Sequence, residues 1–240
     1  MKMTPELTRL AENAATVRLE FDEACGLLKA KQDTVQNLLD TRKKLEDEAG
    51  RQSDGWERSL LASGGVESED SDKATLLGSL AKEKLGRISP MIDAARAEVL
   101  KLRYDAAEKA RRYDFAWREL STALIQPECE ALLNNLRDSL VIVRGLYALS
   151  PLPAHDFDNL LGTLVRDITR ENNLTPAREY LAAAADDSEN ALHLWPGSYP
   201  GSMRNIMRHS PSGAQMAMAR NDPEKMRALA DGREPCKGMG

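Results

Sequence analysis

Between Leu7 and Ala49, thirteen consecutive positions recur at intervals of three and four: Leu7, Leu10, Ala14, Val17, Phe21, Ala24, Leu28, Lys31, Val35, Leu38, Arg42, Leu45 and Ala49. Only Lys31 and Arg42 among them are not apolar. A mean spacing near 3.5 residues lays a narrow apolar seam down one long helix and requires a partner helix against it. At 1.5 Å per residue such a helix is roughly 65 Å long, beyond the reach of one compact core. The first quarter of the chain therefore reads as a strut.

A partner of similar length lies further along. Ser89-Pro90 reads as an N-cap followed by proline in the first helical turn. The series Ile88, Ile92, Ala95, Val99, Leu102, Ala106 then continues, after one slip, through Ala110, Tyr113, Trp117, Leu120 and Leu124. A helix from about Pro90 to Ile125 is roughly 54 Å long. The near-equal lengths favour an internal antiparallel hairpin over pairing between subunits. Lys31 and Arg42 then either snorkel or set the register.

Local punctuation divides the rest. Thr4 caps the first helix, Pro5 is tolerated in its first turn, and Gly50 is the expected C-cap. Residues 51–72, with three glycines and an acidic run, read as a loop with a short helical turn around Trp56, Leu60 and Leu61. A segment from Lys73 to Leu85 stops at Gly86. Gln126-Pro127 opens a further helix carrying Cys129, Leu132, Leu136, Leu140, Val143 and Tyr147. Asp156 caps another with Phe157, Leu160, Leu161, Leu164 and Ile168 on one face, and Thr175-Pro176 starts a short alanine-rich one. No segment alternates as a strand does.

The expected fold class is all-α: an elongated long helical hairpin or coiled coil, a smaller helical region and an extended C-terminal arm. The boundaries are 1–126 for the hairpin, with a loop and short-helix insert at 50–89, then 127–189, then the arm at 190–240. Residues 191–240 hold five of the eleven prolines, six of the fifteen glycines and six of the nine methionines, so the arm reads as extended or partly disordered.

Composition suits long, partly exposed helices: 30% of residues are charged and 5% aromatic. The net charge of −5 conceals a mildly basic tail, +3 over residues 190–240, on an acidic body. No run reaches the eighteen or so apolar residues of a membrane span, and the opening residues lack a signal peptide's apolar stretch, so a cytoplasmic protein is expected. Cys25, Cys129 and Cys236 stand far apart, without the spacing of a zinc site or disulfide framework. His155, His193 and His209 read as surface histidines, and no nucleophile elbow, phosphate loop or HExxH helix is present. No enzyme activity, cofactor, metal, nucleic acid or membrane partner is expected.

The large apolar residues without a place in the seams are the expected partner-binding set: Trp56 and Leu60 at the hairpin loop, and Trp195, Met203 and Met207 in the arm. Methionine is flexible and polarizable, which suits an irregular hydrophobic groove on another protein.

Two local sequences carry a resemblance. One is Asp54-Gly-Trp-Glu-Arg-Ser-Leu-Leu-Ala-Ser-Gly-Gly-Val66, directly after the first long helix. The other is Pro127-Glu-Cys-Glu-Ala-Leu-Leu133, running into Leu140-Val-Ile-Val143. Over roughly residues 10–145 their order and spacing resemble the capsid size-determination (Sid) proteins of satellite bacteriophages. The resemblance implies an external scaffold that associates with itself and binds a helper phage's major capsid protein from outside. It acts on the procapsid exterior in the cytoplasm of the infected host, redirects assembly toward a smaller shell, and leaves before the mature virion. The alternative is a coiled-coil adaptor that binds a host regulatory protein without forming a lattice.

Overall fold

The computed structural model describes residues 2–149, 154–171, 173–187 and 189–238, and these are all-α. The helices are α1 (Pro5–Ala62), α2 (Glu69–Leu149), α3 (Ala154–Glu171), α4 (Thr175–Ala185), α5 (Gly201–His209), α6 (Gly213–Arg220) and α7 (Pro223–Ala230), with a 3-10 turn at Ala191–Leu194. The chain forms two compact units. One holds Met1–Val17 and Tyr113–Tyr199, the other Arg18–Arg112 and Pro200–Gly240.

Both long helices outrun their local stop signals. Thr4 does cap α1, its hydroxyl accepting from the Leu7 amide at 3.2 Å. The helix does not end at Gly50, however, and the expected insert at 50–89 shrinks to a turn at 63–68. A single glycine costs a helix only about 1 kcal/mol. The seam continues past it, with Gln52 packed beside Gly78 of α2. Gly64 and Gly65 supply the turn, both at positive φ. The Gly65 amide donates to the Leu60 carbonyl at 2.8 Å, closing the end of α1. Ser68 and Ser71 then cap α2 reciprocally, each amide donating to the other's hydroxyl.

Likewise α2 runs unbroken through Gly86, Pro90 and Pro127, where separate helices are expected. An internal proline forfeits one backbone hydrogen bond at about 3 kcal/mol. Pro90 turns its ring to solvent, while Ile88 and Ile92 on either side are buried. Burying two such side chains contributes about 3–6 kcal/mol, which offsets the loss.

In the unit of 18–112 and 200–240, α1 and α2 form the antiparallel hairpin. Lys109 binds Glu20, Lys31 binds Glu98, and Gln52 packs by Gly78. In each pair the residue numbers add to 129 or 130, so the register does not slip over this length. Between these points Ala24, Leu28 and Ala106 form a core with Val99, Leu102 and Ile206. Lys31 thus reaches across the hairpin to Glu98, whereas Arg42 pairs with Glu46 of its own helix at 2.8 Å.

Lys109 also sets up a pH dependence. Its Nζ donates to Glu20 Oε2 at 2.7 Å, and that bond and charge hold the Glu20 carboxyl below its ordinary 4.5. A depressed carboxyl contributes stability that is complete above the unfolded value and is lost as pH falls through the folded one. Thermal melts of wild type and Glu20→Gln should therefore differ at pH 7 and converge as pH falls through the lowered Glu20 value.

The same unit overturns the extended arm. Residues 201–230 fold into α5, α6 and α7 on the hairpin. Leu100 of α2 shares a core with Ala219, Leu229, Met216, Met226 and Cys236. Ser210 donates to the Arg103 carbonyl at 3.1 Å, and Arg96 binds Asp231 at 3.0 Å. The breakers that argue against helix are caps. Ser212 and Gln215 make a capping box, and Asp222 accepts from the first-turn amides of α7 ahead of Pro223.

In the unit of 1–17 and 113–199, Leu7 and Ala14 share a core with Ala116, Leu120, Leu124, Ala191 and Leu192, to which α4 adds Leu181 and Ala184. An isolated bridge ties Lys2 to Asn190, and the Asn190 side chain caps the 3-10 turn. α4 begins at Thr175-Pro176 as expected. Asp156 lies within the first turn of α3 and is not its cap.

Candidate interaction surfaces

Trp56 stands on the last turns of α1, 37% exposed, at the edge of a cleft of about 370 Å³. Ala49, Gln52 and Ser53 form one wall, and Ala74, Gly78 and Lys82 of α2 form the other. The cleft exists because the residues facing each other here are small, so the helices leave a trough beside the indole. Leu60 is half-buried a turn further on. These two remain available to a partner.

The arm residues divide differently. Met203 is 0% exposed, so it has no surface to offer and leaves the contact set. Met207 is half-buried. The adaptable methionines do fill an irregular groove, but it belongs to the chain itself, where Met216 and Met226 pack around Leu100. Met218 is the exception and stays exposed.

Trp195 lies in the other unit. Its ring sits 5.9 Å from that of Trp117, which also meets Tyr199 edge-on at 5.2 Å. The Trp117 indole donates to the Gly197 carbonyl at 3.3 Å. This aromatic cluster fastens residues 195–199 to α2 and is a structural clasp, with Trp195 half-buried in it.

His193 bonds the Asn190 carbonyl through Nδ1 at 2.7 Å, a contact within one turn. His209 lines a separate cleft with Cys25 and Arg103. The side chain of His155 is outside the described residues. Burial pushes the Cys25 and Cys236 thiols up from their usual range, which makes them poor nucleophiles, whereas Cys129 is exposed. Among the described residues no group of three or more His, Cys, Asp or Glu could hold a metal ion, and no helix is long and apolar enough to cross a membrane.

The most unusual surface is on α2 itself. Every residue from Cys129 to Ile142 is exposed, including Leu132, Leu133, Leu136, Leu140, Val141 and Ile142. Leu133 keeps 66% of its surface in water. The cause lies in the hairpin's ends. The first buried residue of α1 is Leu7, which shares its core with Leu124. The chain before α1 leaves the helix and pairs with Asn190 instead. Just before the exposed run α4 reaches α2 through Tyr180, whose hydroxyl bonds Glu128 and whose phenol is raised by that bond. Just after it, Tyr147 meets the Phe157 ring of α3 at 5.8 Å.

Sequence reasoning placed these leucines on a helix without marking them as a surface. The signal was present: their 3,4 series continues beyond the span that the first seam can cover. No family model, curated protein or solved structure matches this chain.

Proposed function

We propose that this chain is an external scaffolding protein. It associates with copies of itself, binds a helper phage's major capsid protein on the procapsid exterior, and redirects assembly toward a smaller shell. The observation that carries this reading is the exposed run of α2, a helix surface on which Leu132, Leu133, Leu136 and Leu140 each keep 40–66% of their surface in water. An isolated helix of this length is marginal in water, because helices draw most of their stability from packing an apolar face. Such a surface is suited to assembly.

The two sequences behind the resemblance lend support by their positions. Trp56 and the Gly64-Gly65 turn mark one end of the hairpin, and Pro127-Glu-Cys-Glu-Ala-Leu-Leu133 opens the exposed run. A scaffold acts by binding, with no cofactor. Its individual contacts are weak, and a closed lattice multiplies them through effective concentration.

Co-expression with a helper phage's major capsid protein, followed by electron microscopy, tests the proposal. Shells smaller than those formed without the chain are expected. Shells of unchanged size, together with a stoichiometric complex between the chain and a host regulatory protein, would overturn it in favour of an adaptor.

A further inference from the structure

We propose that the exposed run of α2 is covered by the same run of a second copy, packed antiparallel about a two-fold axis near Leu133 and Asn134. This deepens the scaffold reading by naming the surface of self-association, and it rests on that reading only for its biological use.

At 100° per residue, Leu132, Leu136 and Leu140 form one stripe about 80° wide, with Leu133 beside it. Glu130 and Arg137, seven residues apart, share one flank of that stripe. In an antiparallel pair related by a two-fold axis, each flank meets the same flank of the other copy. A single register then aligns Leu132 with Leu136 and the charged pair together. Where paired residue numbers add to 267 or 268, Leu132 faces Leu136 of the second copy and Glu130 faces its Arg137, and symmetry repeats both contacts. Among the described residues Glu130 accepts a bond of 3.2 Å from Gln126 on its own helix. A parallel pair would bring opposite flanks together, leaving Glu130 beside Asn135 and Arg137 beside Ile142. The charges therefore select the antiparallel arrangement.

Every side chain involved belongs to a stretch that is exposed rather than part of the buried core, so pairing requires no rearrangement of that core.

Sedimentation velocity on the full chain alone tests the proposal, with circular dichroism to verify helix content. A dimer is expected, weakened at least tenfold by Leu136→Glu. Glu130→Arg should weaken it similarly, and adding Arg137→Glu should restore it, because the reversed pair regains its attraction. Ser139→Cys should allow a short bis-maleimide to join Cys129 of one copy to the thiol introduced at position 139 of the other, located by peptide mapping. A monomer at tens of micromolar, a dimer indifferent to Leu136→Glu, no rescue by the double reversal, or a Cys129 to Cys129 link would each overturn it. Because no capsid protein is present, this result is separable from the shell-size result.

Discussion

Replacing Leu192 by alanine lowers the stability of the unit formed by 1–17 and 113–199 by about 2–5 kcal/mol, read as an earlier thermal or urea transition. Leu192 is 0% exposed in the 3-10 turn and shares a core with Leu7, Ala14, Leu120 and Leu124. It is the point at which a short non-helical segment locks two long helices. The surroundings are alanines and leucines on rigid helices, which collapse poorly into a void, so the cost falls in the upper half of that range. Leu146→Ala is the control. Leu146 is 62% exposed, and its truncation in the single chain should cost within about 0.5 kcal/mol. If the two substitutions proved equally damaging, the placement of Leu192 at the centre of this core would be wrong.

The hairpin was legible because its signal is long. Of the thirteen seam positions, twelve are buried or half-buried and only Arg42 faces water. Each position reinforces the same period, so an interrupting lysine does not obscure it. Its limits were misread for a complementary reason. Gly50, Gly86, Pro90 and Pro127 are strong local stop signals, but each acts on one turn. The burial of Ile88 and Ile92 and the packing of Gln52 beside Gly78 outweigh those single turns and prevail. Helix boundaries in a long pair depend on such packing across the hairpin, which local sequence does not encode.

The C-terminal segment failed in the opposite direction. Helices α5, α6 and α7 have nine, eight and eight residues, too few turns for a period to emerge. Their evidence lay in the caps, Ser212 with Gln215 and Asp222 with Pro223, residues that composition counts only as breakers. The same blindness misassigned Met203, which is buried. Trp56 shows the converse, since a large residue outside the regular seam does end at the surface.

Gln215→Leu is expected to loosen the end of the chain while leaving the hairpin intact. Gln215 is 2% exposed, and its amide spends every polar atom on backbone or charge. The oxygen accepts from the Lys237 amide at 2.9 Å and the Ser212 amide at 3.1 Å. The nitrogen donates to the Pro235 carbonyl at 2.9 Å and to Glu234 at 3.1 Å. Leucine matches the volume but bonds none of these, and each buried group left unsatisfied costs about 1–3 kcal/mol. Water can reach Lys237 once residues 234–238 lift away, so the unit gives up the strap before it unfolds. Hydrogen exchange should show the Lys237 amide losing its protection, with α6 next, while amides of the Ala24, Leu28 and Ala106 core keep theirs. Uniform loss of protection through that core would mean that Gln215 holds the whole unit together, and unchanged exchange at Lys237 would mean that the network does not hold the strap.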